Sequence, residues 1–316
     1  MKYQTRFLIW GALALGVIGC AQAPVNQSEY VAKKVEASYF EKVNGITVAQ
    51  FRSSASCPND PSSMSSSDWK RLSAMASACV KSQEWAKVEK LGNAIAIKGK
   101  LTPWGPYFLS LAAESRKDYP RAIWMLELAL KKAPKEGILQ YQLGRVHWLM
   151  GNDLDALKYL KQASETNPSL VEAHWTTGLV ALSGDNFSEA ESALNRALAV
   201  DSRHWPSIAT LAEVKMRTKN WEAAEALLNQ AVSLNPQSTK ARVALATVQE
   251  IGLKKAYDAL STYKELKRQS AQNKLDAPIN FNVDDKIKSI EGSLAKAPKP
   301  QVSARQPSAE DGKVAK

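Results

Sequence analysis

Cysteine is scarce in this chain, with three residues in 316 and no Cys-x-x-Cys pair, which excludes a disulfide-dense small scaffold and a dithiol redox site. Fifteen glycines without a triplet period exclude a collagen-like chain. No apolar run is long: the most continuous, Phe7 to Ile18, rises only about 18 Å as a helix, well short of the roughly 30 Å hydrocarbon core. The three histidines, His147, His174 and His204, have no ligand-like spacing, so no metal site is expected. No nucleophile motif, phosphate loop, zinc signature or carboxylate pair is found. The reading is therefore a protein that is not an enzyme, with no cofactor and no small-molecule substrate. Acidic residues are in deficit, 31 against 42 Lys and Arg, giving a formal charge of +11. That balance favours acidic surfaces, but the basic residues form no stripe, and nucleic acid is not an expected partner. An apolar content of 45% is enough for a folded core.

Lys2 and Arg6, with no acid nearby, precede the apolar run and read as the start of an export signal. The run ends in Val17, Ile18, Gly19 and Cys20, which resembles a bacterial lipobox. The resemblance implies cleavage after residue 19, a diacylglyceryl thioether on Cys20 and acylation of the new amino terminus. Several buried acyl chains, at about 0.8 kcal/mol per CH₂, give firm anchorage. Ala21, where an aspartate is absent, implies sorting to the outer membrane in lipoproteins of the enterobacterial type. A chance cysteine after an ordinary secretory signal is the competing reading.

Residues 20–66 read as a linker. Within it Val31, Val35, Tyr39 and Val43 recur every four residues, as one helical face would, although a hairpin turning at Asn44 and Gly45 fits as well. The serine-rich run from Ser53 to Ser67 contains Cys57, and Cys79 falls in the first strongly helical segment. In an oxidising compartment the two would close a disulfide over a loop of about 22 residues, worth roughly 3 kcal/mol. Two separate thiols are the alternative.

A period of 34 residues begins at Pro103. In the register starting at Gly137, Leu143 and Gly144 stand at positions 7 and 8, Ala156 at 20, Leu160 at 24, Ala163 at 27 and Pro168 at 32. The register starting at Val171 holds Gly178, Ala190, Leu194 and Ala197 at 8, 20, 24 and 27, and the one starting at Trp205 holds Leu211, Ala224, Leu228, Ala231 and Pro236. The register at Pro103 holds Leu109, Ala122, Leu126, Ala129 and Pro134. Small residues at 8, 20 and 27 let two helices approach to about 8–10 Å. Asp118, Gly151, Gly184 with Asp185, and Asn220 mark the turn inside each pair, and Asn167-Pro168 and Asn235-Pro236 stop the second helix.

This pattern resembles the tetratricopeptide repeat. The resemblance implies an all-α fold, a right-handed superhelical solenoid of helix-turn-helix repeats, with four repeats over residues 103–238. A degenerate pair is expected over 67–102 (Trp69, Leu72, Ala74, Trp85, Ala86). A second, slipped by one residue, is expected from 239 (Ala241, Leu245, Ala246, Ala256, Ala259), followed by a short closing helix up to 294. Residues 295–316, rich in Pro, Lys, Ala and Ser, read as a basic tail that cannot bury a core, either solvated or touching anionic headgroups.

In the family the first helix of each repeat lines a concave groove. The positions concerned hold Trp104, Tyr107 and Leu111, then Ile138, Tyr141, Arg145, Trp148 and Leu149, then Glu172, Trp175, Leu179 and Leu182, and last Glu213, Met216 and Arg217. Trp, Tyr and Arg dominate binding hot spots, so a segment of another envelope protein is expected across Tyr107, Tyr141, Arg145, Trp148 and Trp175. The alternative is that these aromatics pack between helices. The resemblance extends to lipoproteins that help assemble type IV pili, secretion or gliding-motility machines, facing the periplasm. An adaptor recruiting cell-wall hydrolases or proteases is the other functional reading, and an enzyme with a scattered site a third.

Overall fold

The structure is a computed structural model and describes residues 56–58 and 68–296. The leader, Cys20, the stretch from Tyr30 to Phe51 and the tail after residue 296 lie outside the described residues. Those described form thirteen α-helices and one π-helical segment, and no strand. In chain order they are α1 (Trp69–Lys81), α2 (Trp85–Lys98), α3 (Trp104–Ser115), α4 (Tyr119–Lys132), α5 (Gly137–Leu149), α6 (Asp153–Thr166) and α7 (Val171–Ser183). Then follow α8 (Phe187–Val200), α9 (Trp205–Arg217), α10 (Trp221–Leu234), α11 (Thr239–Thr247), the π-helix Val248–Gly252, α12 (Ala256–Ala271) and α13 (Val283–Lys296). Each odd-numbered helix up to α9 packs on the helix after it as a hairpin, and successive hairpins stack. No described helix is long and apolar enough to cross a membrane.

The small residues sit where the helices touch. Ala122, Ala129, Ala156, Ala163, Ala190, Ala197, Ala224 and Ala231 have no exposed surface. A Cβ on Gly178 would lie 2.6 Å from Leu194 Cγ, and one on Gly144 would lie 3.0 Å from the Ala156 carbonyl oxygen. The side chains of Asp118, Asn186 and Asn220 accept from the backbone N–H three residues on, capping the second helix of three hairpins.

The turn inside each hairpin needs one residue in the left-handed region, and these residues keep the period. Gln83, Lys117, Gly151, Asp185 and Lys219 all have φ between 56° and 78°, and the next, Lys254, has φ 54°. The spacing is 34 residues until the final step, which is 35. The extra residue is accommodated by the π-helix Val248–Gly252, since an i→i+5 turn takes in one more residue than an α turn. Gly252 lies there because a Cβ would come within 2.5 Å of the Trp221 ring.

Cys57 is disulfide-bonded to the fully buried Cys79, with Cα atoms 4.7 Å apart, so the segment before the array is fastened to α1. At the other end Asp276 Oδ1 accepts from the Thr239 backbone N–H at 2.9 Å, and the Thr239 hydroxyl donates to the Ala277 carbonyl at 2.7 Å. These bonds bring the α12–α13 connection back over the start of α11. Helix α13 runs through Lys296, two residues into the stretch read as tail, because Leu294 still packs against the last core cluster.

One continuous apolar core runs from Leu72 to Val214. Beyond it the core breaks into smaller clusters, the last formed by Ala246, Ala259, Tyr263, Leu266, Val283, Ile287 and Ile290. Tyr263 donates to Glu250 at 2.8 Å, and Lys286 donates to the same carboxylate at 3.0 Å; burial and the Glu250 charge push the phenol well above its ordinary value.

Candidate functional site

The first helices of the four hairpins, α3, α5, α7 and α9, carry the sequence-predicted groove residues. The column is mostly buried in the first three hairpins, with Trp148 and Leu149 half-buried, and more open in the fourth. Tyr107, Tyr141 and Arg145 have no exposed surface, and Trp104, Trp175 and Leu179 retain 8% or less. Trp148 is half-buried against the main core. In the fourth hairpin Glu213 and Met216 are half-buried and Arg217 is exposed. Of the residues read as a groove, the buried ones are thus Trp104, Tyr107, Tyr141, Arg145, Trp175 and Leu179, while Trp148, Glu213 and Met216 are half-buried and Arg217 is exposed.

The buried members meet as pairs. Tyr107 lies edge-on to Trp104, ring centroids 5.5 Å apart. Trp175 stands edge-on to His204 at 5.7 Å and donates its indole N–H to the Thr210 hydroxyl at 3.0 Å. Arg145 pairs with Glu114, a carboxylate only 2% exposed, and Gln142 Nε2 donates to the other oxygen of Glu114 at 2.7 Å. A buried ion pair of this kind is held by geometry and added hydrogen bonds, because its Coulomb gain alone barely offsets desolvation. The sequence reading missed Glu114. It stands 34 residues before Trp148, in the same column, and that spacing was the signal.

The open end is built differently. Lys240 donates to Glu213 Oε2 at 2.9 Å from the next hairpin. Arg217 pairs with Asp185, the left-handed residue of the preceding turn, and lies over the Phe187 ring, 5.8 Å from its centroid. This corner joins a cation, a carboxylate and an aromatic face at the surface. Among the described residues no three His, Cys, Asp or Glu side chains gather as metal ligands would. Burial holds the His147 imidazole, stacked on Tyr159 with centroids 5.4 Å apart, below its ordinary value.

Stacked helical hairpins with a fixed 34-residue turn define the class, a helical-repeat solenoid. Tetratricopeptide-repeat family models match residues 141–204 and 181–250, and the described residues form an all-α solenoid of tetratricopeptide-repeat type. No curated protein matches it in sequence. Among solved structures, the APC/C hetero-tetramer Cut9-Hcn1 aligns with a TM-score of 0.59 at 16% identity, over 83% of this chain and 48% of that one. YrrB, a tetratricopeptide protein with an unusual peptide-binding site, aligns at 22% identity over 56% of this chain and 91% of its own, TM-score 0.44. A thermophilic tetratricopeptide protein of Thermus thermophilus aligns at 21% identity over 60% and 99%, TM-score 0.46. The first of these shares the fold. Proteins of this repeat class are in general non-enzymatic interaction scaffolds.

Proposed function

We propose that this protein is a protein–protein interaction scaffold of a bacterial envelope, held to the outer membrane by lipid on Cys20 and facing the periplasm. On this reading a segment of a partner lies along the first-helix column. It enters at the open fourth hairpin, where Arg217, Asp185 and Phe187 recognise a carboxylate beside an apolar side chain. The observation that carries the reading is the 34-residue column itself, aromatic in three hairpins and ending in that exposed charged corner. The partner belongs to an assembling machine such as a pilus, secretion or motility apparatus.

A photo-crosslinking residue at Met216, in cells carrying the full chain, tests this. Capture of one envelope protein, lost on Arg217→Glu, is the expected result; capture of nothing, or capture indifferent to R217E, counts against it. Recovery of a cell-wall hydrolase or a protease as the specific species would replace the assembly reading by an adaptor. The anchor is checked separately: mass spectrometry of the mature protein should find three acyl chains on an amino-terminal Cys20, and Cys20→Ser should release the protein from membranes.

A further inference from the structure

The loops between successive hairpins line one edge of the solenoid, and at the first two loops that edge is cationic and apolar at once. The loop between α2 and α3, residues 99–103, carries Lys100 and Leu101, and the loop between α4 and α5, residues 133–136, carries Lys135. The 34-residue period sets Leu101 beside Lys135, and Ile97 near the end of α2 beside Lys131 near the end of α4. The two loops touch, because Lys132 Nζ donates to the Lys100 carbonyl at 2.6 Å. Leu101 is 92% exposed and Ile97 71%. Lys100, Lys131 and Lys135 are exposed as well, and among the described residues no carboxylate pairs with any of them. Further along the edge the offsets of Ile97 and Leu101 hold Glu165 and Ser169, so the patch ends after the second loop.

A single exposed leucine is ordinary. Leu154, 86% exposed on the opposite edge where α5 turns into α6, stands between Asp153 and Asp155. Leu101 differs in having lysines around it. An anionic bilayer suits both halves of such a patch, since lysine ammonium groups stay among lipid phosphates while their stems and the apolar side chains pass below. A polyanion in solution would take the charges and leave Leu101 and Ile97 in water.

We propose that this edge of the first two loops rests on the surface of an anionic phospholipid bilayer, with Leu101 and Ile97 below the headgroups and Lys100, Lys131 and Lys135 among the phosphates. The inference goes beyond the scaffold reading, because it fixes which edge of the solenoid meets a membrane and leaves the edge of Leu154 facing away, about 20 Å off along the helices. It needs neither a partner nor lipid on Cys20.

The test uses the full chain with an environment-sensitive fluorescent amino acid at Leu101 and, in a second preparation, at Leu154. Each is mixed with vesicles of phosphatidylcholine, alone or with about one-third phosphatidylglycerol, that contain spin-labelled lipid as quencher. Quenching at 101 on the anionic vesicles, weak on the neutral ones and absent at 154, is expected. Lys100→Gln with Lys131→Gln and Lys135→Gln should lower the ratio of docked to undocked chains about 100-fold, at about fivefold for each lysine near an anionic surface. No quenching at 101, equal quenching at 101 and 154, or quenching indifferent to lipid charge or to the triple variant overturns the proposal. Retention on an anionic wall polymer without quenching at 101 assigns the edge to that polymer and overturns it too. If the triple variant loses helical circular dichroism, the contrast between 101 and 154 and between the two lipids decides alone. An acyl anchor brings both positions to the vesicle alike, so failure here leaves the scaffold reading standing, and failure of partner capture leaves this one standing.

Discussion

The first three hairpins and the fourth follow one 34-residue rule and end differently. In the former the first-helix column holds Tyr107, Tyr141, Trp175 and the Glu114–Arg145 pair, all within a tenth of full burial, beside a half-buried Trp148. In the latter the same column holds Ala209, Glu213, Met216 and Arg217, half-buried or exposed. The repeat pattern fixes where helices touch each other; the residues between those contacts decide whether a surface is sealed or offered. A charge is worth different amounts on the two sides, because the closed column removes it from water and the open corner does not.

The sharpest way to break the comparison is to remove one arginine from each region. Arg145→Met leaves the Glu114 carboxylate buried without its guanidinium and is expected to cost about 3–5 kcal/mol in urea unfolding. Arg217→Met, at an ion pair that water reaches, is expected to cost no more than about 1 kcal/mol. Equal losses would show that the closed column is not desolvated.

Cys57→Ser with Cys79→Ser removes the fastening at the closed end, with an expected loss of roughly 3 kcal/mol, read as a lower Tm. Next comes Gly178→Ala, whose methyl would meet Leu194 at 2.6 Å; an overpacking cost of about 1–3 kcal/mol is expected.

The smallest expected effect is electrostatic. Burial depresses the His147 pKa, with Asp155 and Glu127 pulling it up and Lys158 pushing it down. The unfolded chain therefore takes its proton first as pH falls, so stability from neutral His147 is whole above the ordinary value of 6.5 and is lost on acidification below it. Melting between pH 7 and pH 5 should show a drop that His147→Gln reduces.

How much was legible follows from which residues carry each feature. The hairpin contacts were readable because Ala, Gly and Leu recur at fixed offsets, and helix geometry turns an offset into a face. The one-residue slip in the last hairpin was visible as a shift of Ala256 and Ala259; its cause, the π-helix, was not, because an i→i+5 turn leaves no composition signature. The left-handed positions were legible only at Gly151; Lys117, Asp185 and Lys219 take that conformation because the hairpin on either side demands it. The burial of the residues read as a groove was not legible, since a tyrosine at a given offset is as suited to a buried column as to an open one.

Sequence alone determined the period, the hairpin and the direction in which each helix faces, because these depend on spacing along one chain. Tertiary structure decided what lies within reach of what: that Glu114 meets Arg145 across hairpins, that Arg217 rests on Phe187, and that Tyr107 and Tyr141 are buried while Trp148 is only half so. Burial is a property of everything packed around a side chain, and a linear sequence holds no record of its neighbours in space.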